Sequence, residues 1–289
     1  MSNKRFMMIV NPKGGTRRGA TVLEAVRSVF DEASTELDVR ITTHAGHAGE
    51  LARTIDPECH DGICLIGGDG TIHEVINGLM QRDDPRRMPL GIIPGGTGNS
   101  VLQHLDCLDP LEASRRIVSG NEQPLDVVRV KAGDEIVYCV NIIGWGAAVD
   151  INRTAERWRA LGPMRYALAA GSHILLSRWR RATVILDDRT IEDQFAFMLA
   201  SNTKFTGKGM LIAPRAEHDD GMIDVVLVRR ASRRQMCALF NRVFDGTHVD
   251  LDCVEYHQVR SFAVKSDSQD LLNLDGELKC TTPVEATMI

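Results

Sequence analysis

The residues best suited to chemistry in this sequence stand in three glycine-rich turns. They are NPKGG at residues 11–15, GGDGT at residues 67–71 and PGGTGN at residues 94–99. Glycine lets the chain turn sharply and lets its N–H groups approach a phosphate closely. A helix that begins directly after such a turn adds its positive end, which favours anionic oxygens. Any one turn could be a tight strand–helix connection without a ligand, but three together predict a phosphate-binding site.

One acidic residue, Asp69, stands inside the second turn, where its charge would repel a phosphate. Its presence makes sense if Mg²⁺ accompanies the phosphates, or if the carboxylate accepts a proton from an attacking hydroxyl. We predict that Thr71 caps the helix that carries His73, Glu74 and Asn77. The sequence has neither the Walker A pattern GxxxxGK[ST] nor the dinucleotide pattern GxGxxG.

The elements that must position these turns alternate along the first 124 residues. Short runs rich in Ile, Val and Leu alternate with segments of helical periodicity. This alternation predicts an α/β domain with a parallel sheet, in which ligands bind at the carboxyl ends of the strands. The predicted strands are 6–10, 39–42, 63–66 and 90–93, and the predicted helices are 21–33, 48–55, 72–80 and 111–119.

Beyond residue 124 predicted strands follow one another without alternating helices, which indicates an antiparallel β-sandwich. We therefore divide the chain into an α/β nucleotide-binding domain, residues 1–124, and a β-sandwich domain, residues 125–289. A helical insert is predicted at residues 151–179. The predicted strands are 125–130, 136–143, 182–186, 195–200, 222–228, 262–264 and 271–274.

Composition limits the partners of the chain. The net charge of −5 over 289 residues gives no overall attraction to nucleic acid or to an anionic membrane, so any such contact would need a local patch. We predict no nucleic-acid partner. The seven cysteines form no CxxC pair, which fits a reducing cytosol. No apolar stretch approaches the ~20 residues of a membrane span, so contact with a membrane substrate would be peripheral.

The order of these motifs resembles the diacylglycerol kinase catalytic domain, which bacterial lipid kinases, sphingosine kinases and ceramide kinases share. GGDGT and PGGTGN carry most of the likeness, and NPKGG is similar to the opening NPxSG of that family, with Gly14 where serine is usual. TTHAGHA at residues 42–48 and NLDGE at residues 273–277 extend it over nearly the whole chain. The resemblance implies transfer of the γ-phosphoryl group of ATP to a lipid hydroxyl. It also implies a nucleotide cleft between a phosphofructokinase-like domain and a lipid-binding β-sandwich.

Carried over by position, the resemblance assigns roles to individual residues. Asp275 or Asp69 would accept the proton of the lipid hydroxyl, and the chemistry of a carboxylate suits either one. Glu277 would help to position Mg²⁺. ATP would be contacted by Asn11, Lys13, Gly14, Thr42, Gly67, Gly68, Asp69, Gly70, Thr71, Ile72, His73 and Thr97.

Two further segments resemble sites of relatives. EHDDGM at residues 217–222 is similar to a structural Mg²⁺ loop of bacterial members, with the side chain of Asp220 and the carbonyls of Glu217 and Met222 as ligands. A plain type I turn is an equal alternative. Asp150, in a segment similar to sphingosine and ceramide kinases, would face the head group of the lipid substrate. The alternative for Asp150 is a helix cap before residues 152–161.

Two arginine clusters remain, at residues 178–181 and 229–234. Each is either solvated surface charge or an attraction for an anionic leaflet, worth about 1 kcal/mol per side chain. The sequence also allows a homodimer.

Two other functions compete with a lipid kinase. NAD kinases share GGDGT, but they carry an Asn-Glu pair where this chain has PGGTGN, and the closing DGE also argues against them. A non-catalytic lipid-binding protein on a kinase scaffold is the second alternative. Against it stand five acidic and hydroxyl residues that are present together: Asp69, Thr71, Thr97, Asp275 and Glu277.

Overall fold

The computed structural model describes residues 4–15, 18–84, 86–158, 164–176, 179–207 and 209–289. Its internal contacts divide the chain into two units, Met1–Pro124 and Leu125–Ile289. Within the part that is described, no helix combines the length and the apolar character needed to cross a membrane.

The first unit is an α/β sheet domain, as the sequence predicts. Its strands are β1 (Arg5–Val10), β2 (Glu36–Ile41), β3 (Gly62–Gly67) and β4 (Leu90–Pro94). Its helices are α1 (Gly19–Glu32), α2 (His47–Arg53), α3 (Asp69–Met80), α4 (Ser100–His104) and α5 (Pro110–Ser119). The four strands lie in the order β2-β1-β3-β4, and all three pairs are parallel.

The central strands β1 and β3 are buried on both faces, which explains why they read as unbroken apolar runs. Met8 and Ile9 point to opposite faces of β1, and both are fully buried. The connection after β1 leads to β2 on one side, whereas the connection after β3 leads to β4 on the other. The sheet therefore reverses its direction of winding between the carboxyl ends of β1 and β3, the position where such sheets bind ligands.

The start of α3 differs from the prediction. The helix begins at Asp69 after the extended residue Gly68, so Thr71 lies inside the first turn and is not the N-cap. Aspartate is favoured in the first turn of a helix, where its charge meets the positive end, and this allows the helix to start three residues earlier. The short helix α4, directly after the third glycine turn, was not predicted.

The second unit is built on antiparallel strands, as predicted. Every strand pair described in it is antiparallel. The strands are β5 (Val128–Ala132), β6 (Glu135–Cys139), β7 (Ile142–Gly146), β8 (Arg180–Leu186), β9 (Arg189–Ser201), β10 (Phe205–Thr206), β11 (Met210–Leu211), β12 (Ile223–Arg229), β13 (Val254–Val259), β14 (Ser261–Ser266), β15 (Leu271–Leu274), β16 (Glu277–Thr281) and β17 (Val284–Met288). The helices are α6 (Ala147–Arg157), α7 (Arg165–Leu176) and α8 (Arg233–Arg242), with a short 3-10 helix at Thr247–Asp250.

The main sheet runs in the order β16-β15-β7-β9-β8-β14-β17-β5-β6, with β12 and β13 added beside β9. One of its faces closes over a core that contains the fully buried rings of Trp145 and Phe195, packed edge to face at 6.2 Å. The other face, around Phe197 and Val228, is covered by α6, α7 and α8 through apolar residues such as Ile174 and Leu239. We call these three helices the helical layer.

Several predicted elements of the second unit differ from the structure. The single strand predicted at 136–143 is two strands, because the N–H groups of Val140 and Asn141 bond to the carboxylate of Asp275 and leave the ladder. The helical insert is two helices, α6 and α7. Strands β10, β11, β13, β16 and β17 and helix α8 were missed.

Candidate active site

Asn11 anchors the first glycine turn at the point where the sheet reverses direction. Its backbone N–H donates to the carbonyl of Ile66 at the end of β3, at 3.0 Å. Its side-chain Nδ2 donates to Oγ1 of Thr71 at 3.0 Å, and its Oδ1 accepts the N–H of Lys13 at 3.1 Å. One asparagine thus joins the turn after β1 to the start of helix α3.

The three glycine turns touch one another through backbone atoms. A Cβ atom at Gly96 would lie 2.4 Å from the Cα of Gly68, which joins the second turn to the third. Gly15 has φ of +50°, and a Cβ there would lie 2.8 Å from the backbone nitrogen of Thr97, which joins the first turn to the third. Glycine is required at these positions because a side chain would separate the turns.

Asp69 connects the second turn to the third. Its Oδ1 accepts the backbone N–H of Ser100 at 2.8 Å, and its Oδ2 accepts the Ser100 hydroxyl at 3.0 Å. These bonds hold the start of α4 against the start of α3. Ser100 was not predicted as a site residue, although a serine directly after a glycine turn is a recognisable start of a helix.

Helix α2 also has its positive, N-terminal end near these turns, but a carboxylate already caps that end. Glu74 of α3 accepts the N–H groups of Gly46 at 2.9 Å and Ala48 at 3.2 Å. The two helices are pressed together, since a Cβ at Gly78 would lie 2.2 Å from the carbonyl oxygen of Gly49. Helix α3, in contrast, begins within the second glycine turn, and its capping residue Gly68 has no side chain to cover the positive end.

The residues of the first unit that were predicted to contact ATP differ in position and in exposure. Asn11, Gly14, Thr97 and residues 67–71 come together at the turns, and the backbone N–H of Thr42 donates to the carbonyl of Val10 beside them at 2.9 Å. Lys13 and Thr97 are exposed, whereas the side chains of Ile72 and His73 are buried. Ile72 and His73 can contribute to this face through their backbone.

In the second unit, Asp275 holds a turn together. It lies between β15 and β16 with φ of +53°, and it is buried. Its carboxylate accepts the backbone N–H groups of Val140, Asn141 and Ile142 at 2.9 to 3.0 Å. Asp275 therefore has a structural role that the DGE motif alone does not reveal. Glu277, two residues on, is exposed.

Asp150 is part of a buried ionic network rather than a helix cap. Helix α6 is capped by Gly146, and Asp150 lies within its first turn. The Arg180 guanidinium donates through Nη2 to Asp150 at 2.7 Å and through Nε to Asp270 at 3.0 Å. Arg153 approaches the other Asp150 oxygen at 3.5 Å. The capping interpretation of Asp150 is therefore wrong, and Arg180 is not solvated surface charge.

Asp270 is the best-satisfied member of this network. Burial alone would raise its pKa, but hydrogen bonds from Ser266, Ser268 and the indole of Trp145 hold the pKa below its usual value. The Trp145 Nε1 lies 3.0 Å from Asp270 Oδ2. Asp270 could not be identified from local sequence, because its partners come from three different strands and the adjoining turn.

The second arginine cluster is also divided. Arg229 donates to Asp193 at 2.6 Å and to Glu255, so it is neutralised. Arg230 lies over the ring of Trp179 at 4.5 Å, and Arg233 and Arg234 are exposed on the first turn of α8. Of the other cluster, Arg181 is exposed, and Arg178 lies outside the described residues.

The segment at residues 217–222 forms a turn closed by aspartates. Asp220 Oδ1 accepts the N–H of Met222 at 2.9 Å, and Asp126 Oδ2 accepts the N–H of Gly221 at 2.6 Å. The Lys204 ammonium binds Glu217 at 2.9 Å. Carboxylate and carbonyl oxygens are the ligands that Mg²⁺ prefers, so the oxygen atoms of this turn fit this ion.

A buried carboxyl group, Asp224, follows this turn in β12. Its Oδ1 accepts the hydroxyl of Tyr256 at 2.6 Å. Burial raises the pKa of Asp224 to about 6; the charge of Asp220 acts in the same direction, and the Tyr256 hydrogen bond opposes it.

Comparison with known proteins adds an independent line of evidence. Residues 5–130 match the family described as the diacylglycerol kinase catalytic domain, and residues 141–289 match the YegS C-terminal NAD kinase beta sandwich-like domain. A diacylglycerol kinase of Mycobacterium tuberculosis is 30% identical over 236 residues, which cover 79% of this chain and 74% of the relative. Sphingosine kinase 1 of Arabidopsis thaliana is 25% identical over 333 residues, with 95% and 68% covered.

The solved structures give the same fold. A diacylglycerol kinase of Bacillus anthracis superimposes with a TM-score of 0.76 at 20% identity, over 100% of this chain and 95% of that one. With the two family matches, this fold places the chain in the diacylglycerol and sphingosine kinase-like class of lipid kinases. The chain belongs to the diacylglycerol kinase family.

Proposed function

We propose that this protein transfers the γ-phosphoryl group of Mg²⁺·ATP to the hydroxyl group of a lipid. The observation that carries the proposal is the joining of three glycine turns at the reversal point of the parallel sheet, beside the start of α3. Backbone N–H groups and a positive helix end suit the triphosphate of a nucleotide. Family membership supports a lipid as the acceptor.

In the proposed reaction the lipid hydroxyl oxygen attacks the γ-phosphorus. The bond between that phosphorus and the bridging oxygen of the β-phosphate breaks, ADP leaves, and the hydroxyl proton passes to a carboxylate. Mg²⁺ would neutralise charge on the phosphate oxygens during transfer. The glycine turns would position the triphosphate, which is the main contribution a protein makes to this chemistry.

We propose Asp69 as the acceptor of the proton and Asp275 as a positioning residue. Both carboxylates accept hydrogen bonds, but Asp69 lies among the glycine turns and is held there by Ser100, whereas Asp275 is buried and holds three backbone N–H groups of its own unit. Glu277 remains the proposed residue for positioning Mg²⁺ of the nucleotide. A second, structural Mg²⁺ would be held by Asp220 and the carbonyls of Glu217 and Met222, with Asp126 beside them.

The proposed acceptor is a lipid without a cationic amine, such as diacylglycerol or ceramide. A carboxylate at Asp150 would attract the amine of a sphingoid base. In this chain, however, Arg180 and Arg153 already occupy the two oxygens of Asp150. An ammonium group would therefore meet two guanidinium groups, and like charges at this separation repel.

The test is an ADP-release assay with purified protein, Mg²⁺·ATP and separate detergent-dispersed lipids, with the labelled product identified by thin-layer chromatography. We expect phosphorylation of diacylglycerol or ceramide and much slower reaction of a sphingoid base. An Asp69→Asn variant serves as the control for contaminating kinases. Phosphorylation of NAD, or no lipid product under any condition, would refute the proposal.

A further inference from the structure

Basic residues are concentrated in two segments of the second unit. Residues 151–181 and 229–244 contain twelve arginines and a single acidic residue, Glu156. The rest of the chain contains 22 basic and 38 acidic residues. A chain of net charge −5 therefore carries one strongly positive region, and such a region attracts anionic partners at a distance.

The fold brings the two segments to one side of the unit. The first contains α7 and most of α6, the second contains α8, and the helical layer packs on one face of the sheet through Ile174, Met236 and Leu239. Arg230 from the second segment stacks on Trp179 from the first, at 4.5 Å. The positive charge therefore lies on a single surface.

Not all of the arginines are available to a partner. Arg153, Arg180 and Arg229 form ion pairs with aspartate or glutamate. Arg181, Arg230, Arg233 and Arg234 are exposed, and none has an acidic partner among the residues that the structure describes.

The same two segments expose apolar side chains. Nine large hydrophobic side chains are exposed in the described part of the chain, and five belong to these two segments. Among them are Trp158 and Trp179, each 37% exposed, and Met164 at 65%. Nucleic acid or an acidic protein would account for the arginines, but exposed tryptophan and methionine beside arginine match the boundary between lipid head groups and acyl chains.

We propose that this surface docks on an anionic lipid leaflet. We call it the arginine–tryptophan surface, and it consists of Trp158, Trp179, Arg181, Arg230, Arg233 and Arg234. The arginines bind anionic head groups, and the tryptophan rings enter the interfacial region. The inference rests on the proposed function only because an enzyme with a lipid acceptor must reach a lipid leaflet.

Vesicle sedimentation tests the charge contribution. Wild-type protein is compared with Arg230→Ser/Arg233→Ser/Arg234→Ser on vesicles of phosphatidylcholine alone and of phosphatidylcholine with phosphatidylglycerol. The matched control removes three exposed arginines elsewhere: Arg27→Ser/Arg189→Ser/Arg260→Ser. We expect the first variant to lose roughly a hundred-fold in partition to the anionic vesicles, because three surface charges are lost. The control variant should lose less than about three-fold, and salt should weaken wild-type binding.

Tryptophan fluorescence tests the apolar contribution. Trp145 is fully buried, so it serves as an internal reference, and Trp158 and Trp179 report on the surface. Brominated phosphatidylcholine mixed with phosphatidylglycerol should quench the wild type but leave Trp158→Phe/Trp179→Phe unquenched.

The proposal is overturned if the two triple variants bind alike, or if brominated lipid does not quench the wild type. It is also overturned if the wild type binds soluble polyglutamate but no vesicle, which would assign the surface to an acidic protein. The vesicles contain no acceptor lipid, so these outcomes do not depend on kinase activity. Failure of the proposed function would instead appear as no phosphorylation of detergent-dispersed lipid.

Discussion

Replacing Asp224 by asparagine should remove a pH dependence from the stability of the protein. Asp224 is fully buried, and its pKa rises from the ordinary 3.8 to about 6 in the folded state. The folded protein therefore binds this proton more tightly than the unfolded chain does. The resulting stabilisation is complete below pH 3.8 and is lost as the pH rises through about 6.

The size of the effect follows from the difference between the two pKa values. At about 1.4 kcal/mol per pKa unit, a difference of about two units amounts to roughly 3 kcal/mol of unfolding free energy. About half of this, roughly 1.4 kcal/mol, should be regained when the pH falls from about 7.5 to about 5. Asparagine has nearly the same size and still accepts the Tyr256 hydroxyl, but it does not titrate.

The assay is urea unfolding of wild type and Asp224→Asn at both pH values. The quantity of interest is the change with pH of the difference between the two proteins. A constant offset from altered bonding to Gln258, opposite Asp224 in the neighbouring strand, cancels in this comparison. Tyr256→Phe is a second variant: it removes a hydrogen bond that lowers the pKa, so the transition should move to higher pH. A difference that changes by less than about 0.3 kcal/mol between the two pH values would refute the reasoning.

Four other substitutions test the site. Asp69→Asn should lower kcat for lipid phosphorylation with a nearly unchanged melting temperature. Asp275→Asn should instead lower the unfolding free energy by about 1–3 kcal/mol, because buried N–H groups lose acceptors. The opposite pattern in calorimetry and kinetics would exchange the roles of the two residues. Gly96→Ala should weaken binding of a Mg²⁺·ATP analogue at least about ten-fold in titration calorimetry, since the new methyl group meets Gly68, and equal affinity in a folded variant would mean that these turns do not hold phosphate. Arg180→Met leaves two carboxylates without their shared cation and should cost roughly 3 kcal/mol in urea unfolding; a loss below about 1 kcal/mol would show that solvent screens the network.

The sequence was sufficient for features that are local or periodic. Strands β1 and β3 were predicted because a parallel strand buried on both faces must be apolar along its whole length. The phosphate-binding role of the glycine turns was predicted because each turn follows a predicted parallel strand. Strands β16 and β17 were missed, since each has only five residues and each includes a glutamate, Glu277 or Glu285.

What the sequence did not reveal is pairing between distant residues. Asp275 binds Val140 from 135 residues away, and Arg180 binds Asp270 from 90 residues away. Nothing in the neighbourhood of either residue in the chain indicates such a partner. For this reason Asp150 was interpreted as a head-group contact or a cap, and the cluster of Arg180 as surface charge or a leaflet contact, when each residue is the other's counter-ion.

The contact between Gly49 and Gly78 has a consequence for how this protein can change over evolutionary time. The carbonyl oxygen of Gly49 occupies the space in which any side chain at position 78 would begin. A Cβ at Gly49 would itself lie 2.8 Å from the carbonyl oxygen of Glu74. A single substitution to a larger residue at either position therefore cannot be accommodated while α2 and α3 keep their separation. Lineages that carry a larger residue at one of these positions should also carry changes that move α2 away from α3, and with it the cap that Glu74 provides.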